Sequence, residues 1–383
     1  MRSRLFTPGP TEIPESVRAA TARSMPYHRG PEFKKIFLET LNHLKYFFQT
    51  QQEVLVFTCS GSGGMEACVA NLLSRGDRVV TIEGGKFGER WSEISRAFGL
   101  EVSAMKVEWG KSPDLEELKK LLQLIPATKA VFCTHSETST GALTDVKAVA
   151  EIVRAHSEAL FIVDGITSVG VLPFYFDDWL IDACVSGSQK GAMSPPGLAF
   201  VALSPRAWQR HRLVNLPRYY FDFAAAREAA REGNTAWTPA IPAILGLAES
   251  LRHIRQNGLE HYWKHYERLA LATRAGMQAL RLEIFPQHPS HALTAVKAPH
   301  GLDGKELVKT LREAFGVTIA GGQGHLKGKI FRVTHMGDYD HLDMIALMSA
   351  LELALLNLGC KTELGAGLAA MQRTHHAQLA GMK

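Results

Sequence analysis

Short apolar runs alternate with helix-like segments through the first two-thirds of the sequence, and this alternation limits the folds that the chain can adopt. Six runs stand at residues 53–57, 77–83, 101–107, 129–135, 159–164 and 181–187. Several are followed by a stretch of roughly 10–15 residues with apolar positions at helical spacing. Strands that alternate with helices predict crossover units and a mostly parallel sheet with both faces covered. We therefore expect an α/β fold here.

Polar, glycine-rich motifs follow these apolar runs. They read TCSGSGG, EGGKFGE, THSETSTG, VDGITS and SGSQKG. In open α/β sheets, ligands bind outside the carboxyl ends of the strands. The motifs therefore predict a single ligand site along that edge of the sheet.

The pattern changes after about residue 240, where a long helical stretch leads into shorter mixed segments. This change in the pattern of segments predicts a second, smaller α+β domain at the C-terminal end. The length of 383 residues allows two domains. The last segment has weak periodicity, so we expect it to be poorly ordered. The predicted divisions are an N-terminal arm at 1–20, a large domain at 21–255, a small domain at 256–361 and a tail at 362–383.

Composition argues against several classes of function. The net charge is +5, but 43 basic residues are mixed with 38 acidic ones without a basic block, which disfavours nucleic-acid binding. No apolar stretch has the length of a secretory signal or a membrane span. The 5 cysteines are scattered without CxxC pairs, which disfavours a disulfide framework or a metal site. We expect a cytoplasmic protein that binds no metal and no membrane.

The turn SGSGG, at residues 60–64, joins an apolar run to a helix-like segment. Free N–H groups at a helix start bind anions, so Ser62, Gly63 and Gly64 are candidates for a phosphate site. A plain strand-to-helix turn would look the same. The turn is neither a P-loop nor a dinucleotide fingerprint.

Two charged residues complete a chemical pattern. Asp164 ends the apolar run FIVD, where a carboxylate is costly unless it caps a helix or pairs with a cation. Lys190 follows the run IDACV within SGSQKG. A phosphate site, then an aspartate, then a lysine is the order that pyridoxal phosphate (PLP) chemistry requires. The lysine would bind the cofactor as an imine, and the aspartate would keep the ring nitrogen protonated.

The motifs SGSGGMEA, THSETSTG, VDGITSVG and SGSQKG together resemble the class V, fold type I, PLP-dependent aminotransferases, most closely the serine–pyruvate/alanine–glyoxylate branch. The resemblance extends from residue 7 to about residue 358. It implies a large domain with a mostly parallel, seven-stranded type of sheet covered by helices, followed by a smaller α+β domain. Lys190 would form the internal aldimine and move the proton during the reaction.

The resemblance also implies roles for other residues. Asp164 would pair with the pyridinium nitrogen, and Arg332, in GKIFRVTHMG, would bind the substrate α-carboxylate through its planar fork. Thr238 matches a segment that reaches the cofactor phosphate of a neighbouring subunit, and Thr235 stands at a position where tyrosine occurs in the family; this implies a homodimer with shared active sites. The cofactor-binding set is Ser62, Gly63, Gly64, Phe87, Thr138, Asp164, Gln189, Lys190, Thr235 and Thr238.

The expected reaction transfers an amino group from a small amino acid, alanine or serine, to a 2-oxo acid, glyoxylate or pyruvate. Related branches that act on phosphonates or ureido compounds stay open. A cysteine desulfurase or lyase on the same fold is an alternative, although Gln189 stands where desulfurases have histidine and Cys360 lies beside the tail. A non-enzymatic relative is disfavoured by the presence of Lys190, Asp164 and Arg332, and a nicotinamide-dependent dehydrogenase is disfavoured by the missing fingerprint.

Overall fold

The structure, a computed structural model, describes residues 2–380. Its strands are β1 Arg4–Leu5, β2 Val54–Phe57, β3 Arg78–Glu83, β4 Glu101–Lys106, β5 Ala130–Thr134, β6 Ser136–Glu137, β7 Ala142–Leu143, β8 Leu160–Asp164, β9 Ala183–Gly187, β10 Ala199–Leu203, β11 Leu293–Lys297, β12 Val317–Thr318, β13 Ala320–Gly321 and β14 Ile330–Thr334. Its α-helices are α1 Glu15–Thr21, α2 Pro31–Phe48, α3 Gly61–Leu72, α4 Lys86–Ala97, α5 Leu115–Leu124, α6 Val146–His156, α7 Pro205–His211, α8 Phe223–Arg231, α9 Ile241–Asn257, α10 Leu259–Ala279, α11 Gly304–Phe315, α12 His341–Asn357 and α13 Ala366–Ala380.

A seven-stranded sheet forms the large part of the molecule, in the order β2-β10-β9-β8-β5-β3-β4. Only β10 runs antiparallel to its neighbours in this sheet. The predicted α/β fold with a mostly parallel sheet is therefore confirmed, and each of the six apolar runs contains one strand of the sheet. Strand β10 was not singled out by the sequence pattern.

Both faces of this sheet are buried, which explains the continuous apolar runs. Along β8, Phe161 and Val163 point into a core shared with α2, α5, α6 and α9. Leu160 and Ile162 point into a second core shared with α3, α4 and α7. Because side chains alternate across a strand, a run without polar positions needs apolar partners on both sides, and the helices supply them.

A three-stranded antiparallel sheet, β11-β14-β13, lies in the C-terminal part of the chain. The N-terminal strand β1 pairs with β12, and Phe6 is buried in the C-terminal core. The N-terminal segment is therefore built into the C-terminal part of the fold. The division of the large and small domains at residues 255 and 256 stays a prediction.

The prediction of a poorly ordered segment from residue 362 is wrong for residues 366–380, which form helix α13. Met371 is fully buried in the C-terminal core. The start of α13 is capped by the buried Glu352 of α12, whose carboxylate accepts hydrogen bonds from the backbone N–H groups of Gly365 (2.7 Å) and Leu368 (3.0 Å). The last part of the predicted tail, residues 381–383, lies outside the described residues.

No helix within residues 2–380 combines the length and the apolar character needed to cross a membrane.

Candidate active site

Asp164 is the last residue of β8 and is 3% exposed. Its Oδ1 accepts a hydrogen bond from the backbone N–H of Ile166 at 2.9 Å. Burial raises the pKa of this carboxyl to about 7, although Lys190 and Arg90 favour its charged form. The sheet therefore holds a carboxylate in a position where a nearby cation is needed to keep it ionised.

Lys190 lies just past β9, the strand next to β8, and is 8% exposed. Its Nζ donates a hydrogen bond to the carbonyl oxygen of Pro8 in the N-terminal segment. Burial lowers the pKa of this amine to about 8; Asp164 opposes the shift, and Arg332 adds to it. A lysine with this pKa has an appreciable neutral fraction near neutral pH, as a nucleophilic or proton-transferring amine requires.

The predicted phosphate site lies at the first turn of α3, which begins at Gly61. A side chain at Gly63 would bring its Cβ to 2.7 Å from the Cys59 Sγ, and one at Gly64 would reach 2.7 Å from the Val185 Cγ1. Gly64 is therefore required where the helix packs on β9, and Gly63 where it packs on Cys59. The Oγ of Ser62 accepts a hydrogen bond from the Arg90 guanidinium at 2.9 Å.

Phe87 lies in the first turn of α4 and is half-buried. The Arg90 guanidinium lies over its ring, with the central carbon 4.7 Å from the ring centroid. Arg90 thus connects the Phe87 ring with Ser62 at the phosphate site. The sequence interpretation did not assign Arg90 a role, although the residue stands in the same motif as Phe87.

Arg332 lies on β14 of the small sheet and is 5% exposed. Its Nε and Nη2 donate to the carbonyl oxygen of Gly321, at 3.0 and 2.6 Å, and its Nη1 donates to the carbonyl oxygen of Thr138 at 2.6 Å. A guanidinium has one N–H on Nε and two on each Nη, so one N–H on each Nη is left for a carboxylate. Burial lowers the pKa of Arg332 to about 10.

Thr138 and Gln189 lie beside these groups. Thr138 is buried on the short connection between β6 and β7, where its carbonyl holds Arg332. The Gln189 side-chain oxygen is buried and finds no hydrogen-bond partner among residues 2–380. The Thr11 hydroxyl donates to the backbone carbonyl of Gln189 at 3.4 Å. The N-terminal segment therefore covers the Gln189–Lys190 pair.

Thr235 and Thr238 lie apart from this constellation, beside the edge strand β2, where both line a small cavity with Phe57 and Tyr220. The Thr235 hydroxyl donates to the Trp237 carbonyl at 2.6 Å. Their predicted contact with the cofactor phosphate of a second subunit stays a prediction.

The residues at the sheet edge fit PLP. The side chain of Ser60 makes no capping hydrogen bond at the start of α3, and the N–H groups of Gly63 and Gly64 donate to the Ser60 carbonyl, at 2.9 and 3.4 Å. The N–H groups of Gly61 and Ser62, at the start of the helix, are therefore the ones that can receive a phosphate. Asp164 would pair with a protonated ring nitrogen, and the buried Lys190 amine would bind the aldehyde carbon. Phe87 would stack on the ring. The donor set therefore matches the charges of the cofactor.

Residues 10–335 match the family aminotransferase class-V. The chain belongs to the class V aminotransferases. This class V aminotransferase is 41% identical over 377 residues to a protein of Synechococcus sp. (strain PCC 6716) named soluble hydrogenase, small subunit, with 97% of this chain and 98% of the relative covered. It is 33% identical to the serine–glyoxylate aminotransferase of Methylorubrum extorquens, with 96% of this chain and 95% of the relative covered.

The class V aminotransferase also resembles a solved structure of an aspartate aminotransferase of subgroup IV from Thermus thermophilus. The TM-score is 0.87 and the sequence identity 36%, with 93% of this chain and 99% of the other chain covered. The expected family is thus confirmed, and the family implies PLP as the cofactor.

Proposed function

We propose that this aminotransferase uses PLP to move an amino group from a small amino acid, alanine or serine, to a 2-oxo acid, glyoxylate or pyruvate. The observation that carries the proposal is the placement of Asp164 and Lys190 at the ends of adjacent strands, both buried, with Arg332 close enough to lower the pKa of the lysine. This combination offers a carboxylate, an amine and a guanidinium to one ligand site.

Asp164, Lys190 and Phe87 would hold the cofactor ring, while the first turn of α3, with Gln189, would hold the phosphate. When bound, PLP supplies an electron sink for the charge that develops at the substrate Cα. Asp164 would preserve that property because an ionised carboxylate keeps the ring nitrogen protonated. The burial of Asp164 makes this pairing stronger than it would be in water.

Lys190 would act as the general acid and base. Its Nζ, with a pKa of about 8, would accept a proton from the substrate Cα and deliver it to the cofactor carbon C4′. One amine serves both directions, so the donor and the acceptor can use the site in turn, which is a ping-pong scheme. The Pro8 carbonyl, which accepts the Nζ hydrogen bond, would orient the amine.

Arg332 would bind the α-carboxylate of either substrate through the two N–H groups that remain free of the Gly321 and Thr138 carbonyls. Such a fork positions the carboxylate and leaves the side chain of the amino acid to other residues. The relative from Methylorubrum extorquens is named for serine and glyoxylate, which supports small, neutral substrates. The name of the structure from Thermus thermophilus supports aspartate as a second candidate donor.

The proposal includes a homodimer in which Thr235 and Thr238 contact the cofactor phosphate of the neighbouring subunit. Support comes from the exposed aromatic surface beside them: Tyr219 is 75% exposed and stacks on Trp237 with ring centroids 4.7 Å apart. Exposed aromatic side chains of this kind are frequent in protein interfaces. A cytoplasmic location is also proposed, supported by the five free cysteines.

Two other activities are less well supported by the site. For a cysteine desulfurase, Cys360 would have to act on the substrate, but it lies after α12 and packs against the C-terminal core. For the hydrogenase named in the Synechococcus relative, the part of the chain at 2–380 contains no group of three or more His, Cys, Asp or Glu side chains placed to hold a metal ion. The aminotransferase proposal uses residues that the fold brings together.

The test is an absorption spectrum of the purified protein reconstituted with PLP, recorded before and after alanine, serine or aspartate is added. We expect a yellow band that bleaches with the true donor and returns with glyoxylate or pyruvate. The rates would rank the three donors. A protein that cannot be reconstituted, or whose band does not respond to any of the amino acids, would contradict the proposal.

A further inference from the structure

A buried carboxylate lies under the start of the helix that carries Phe87. Glu137, on β6, is 4% exposed. Its Oε2 accepts hydrogen bonds from the backbone N–H groups of Phe87 (3.0 Å) and Gly88 (3.1 Å). A negative charge at a helix N-terminus is favourable, and α4 receives it from a strand about 50 residues further along the chain. Glu137 therefore fixes the backbone of Phe87 itself.

The other oxygen of this carboxylate is also fully used. The Glu137 Oε1 accepts hydrogen bonds from the Ser139 backbone N–H (3.0 Å) and from the Ser139 hydroxyl (2.6 Å). Three of the four hydrogen bonds come from backbone N–H groups, which can only donate. A carboxylate accepts all of them, whereas the NH₂ group of a neutral amide of the same shape would face at least one of these donors. The packing is tight as well, because a Cβ on Gly85 would lie 2.5 Å from both Cγ and Cδ of Glu137.

The residue after Glu137 holds the substrate-binding arginine. The carbonyl of Thr138 accepts the Nη1 hydrogen bond of Arg332 at 2.6 Å. On the other side, the Ser136 hydroxyl donates to the Ser290 hydroxyl at 2.7 Å, which ties the same short hairpin to the segment before β11. The Glu137 charge also favours the charged form of Arg332. The hairpin therefore connects helix α4, which packs on the large sheet, with strand β14 of the small sheet.

We infer that Glu137 is a positioning residue, which sets the Phe87 ring and the Arg332 guanidinium relative to each other and so couples cofactor stacking to carboxylate binding. This inference rests on the proposed function. The Glu137 carboxylate accepts all four of its hydrogen bonds from groups of the protein itself. It acts through the backbone of Phe87 on one side and of Thr138 on the other.

Two variants test the coupling in different ways. In E137Q, the side-chain amide keeps the volume, but its NH₂ group must face at least one backbone N–H donor in either orientation. In G85A, the carboxylate stays but the added methyl displaces it. Because a lost hydrogen bond to a charged group weakens binding by about tenfold, both variants should bind PLP about tenfold more weakly and have a KM for the amino acid about tenfold higher. The visible circular dichroism band of bound PLP should change, since the Phe87 ring moves.

E83Q is the matched control. Glu83 is also buried and ends β3, where its carboxylate accepts hydrogen bonds from Ser92 of α4 and from Lys106. We expect E83Q to lower the unfolding temperature of the apoprotein without changing the PLP affinity, the dichroism band or the KM.

The inference is overturned if E137Q and G85A match the wild type or E83Q in PLP affinity, dichroism and KM. It is also overturned if neither variant folds, because the role would then be structural. If E137Q alone fails to fold, G85A decides. The wild-type protein separates the two proposals: a wild type that binds no PLP removes both, whereas a wild type that binds PLP and transaminates, beside unaffected variants, removes only the role of Glu137.

Discussion

The proposed cofactor half and the proposed carboxylate half of the site are assembled differently. The cofactor half consists of Asp164, Lys190 and the first turn of α3, all at the carboxyl ends of strands in one sheet. The carboxylate half consists of Arg332 and the Gly321 and Thr138 carbonyls, and the hydrogen bond from Arg332 to Thr138 joins residues 194 positions apart. The residues of the cofactor half lie together because their strands are neighbours in one sheet. The carboxylate half forms only when the small sheet packs on the hairpin of β6 and β7.

This difference implies that each half can be damaged without the other, except where they meet. They meet at Lys190, whose pKa is raised by Asp164 and lowered by Arg332. Variants of residues within one half should therefore change one property of the enzyme. The titration of Lys190 should respond to both halves, and variants of Glu137, which we infer to position Phe87 and Arg332 together, should change both properties.

The largest effect is expected for Lys190. K190A removes both the amine that binds the cofactor and the base that moves the proton, so the rate of transamination should fall by at least about 10⁴-fold. The measurement is single-turnover conversion with alanine or serine at saturating PLP. K190R keeps a positive charge but should be as inactive. A residual rate within about tenfold of the wild type would contradict the role, given the usual size of acid–base effects.

The second-largest effect is expected for Arg332, whose variants should affect carboxylate binding without affecting PLP binding. R332Q removes the fork, so the KM for the amino donor should rise by about 100-fold while the yellow band of bound PLP stays unchanged. R332K, which keeps the charge without the planar fork, should fall between the wild type and R332Q. Equal KM values for wild type and R332Q, or loss of the PLP band in R332Q, would show that the halves are not arranged as described.

Met371 tests whether helix α13 stabilises the C-terminal core, to which the strand of Arg332 also belongs. M371A removes a fully buried side chain that joins α13 to the C-terminal core, and it should lower the free energy of unfolding by about 2 kcal/mol. M371L, which conserves volume, should cost less than about 1.5 kcal/mol. Chemical denaturation of the apoprotein measures both. If M371A is as stable as the wild type, residues 366–380 do not pack as the structure shows.

The smallest effect is expected for the pKa of Lys190, which links the two halves. A neutral Lys190 amine is needed for reaction with PLP, so in the wild type the rate of PLP incorporation should rise with pH and level off above a midpoint of about 8. R332Q should move the midpoint up, because Arg332 lowers the lysine pKa, and D164N should move it down, because Asp164 raises it. Stopped-flow absorbance over a pH series gives the midpoints. Shifts of the same sign in both variants would contradict this electrostatic arrangement.

The positions of Asp164 and Lys190 at the sheet edge could be predicted from the sequence because their signals are local, while their roles toward the cofactor stay predictions. Asp164 and Lys190 each follow an apolar run, and a run of that kind ends at the ligand-binding edge of a parallel sheet. Arg332 was also singled out, from its apolar neighbours and the resemblance. The carbonyls that orient it could not be predicted, because no local pattern shows which loop packs against β14.

Two of the features that sequence reasoning missed depend on helix caps supplied by distant parts of the chain. Glu137 caps α4, and Glu352 caps α13, each from a different element. A capping residue just before a helix is visible in a sequence, whereas a carboxylate from elsewhere in the fold is not. The segment from 362 therefore looked like an unstructured tail, and Glu137 looked like one polar residue among several in SETSTG.

The most direct test of the account is to locate the covalent link between PLP and the protein. The reconstituted wild-type enzyme is reduced with borohydride, which makes that link permanent, and its peptides are mapped by mass spectrometry. The account predicts that the pyridoxyl group is found on the peptide that contains Lys190 and nowhere else. A pyridoxyl group on another lysine, or no labelled peptide in a protein that has bound PLP, would contradict it.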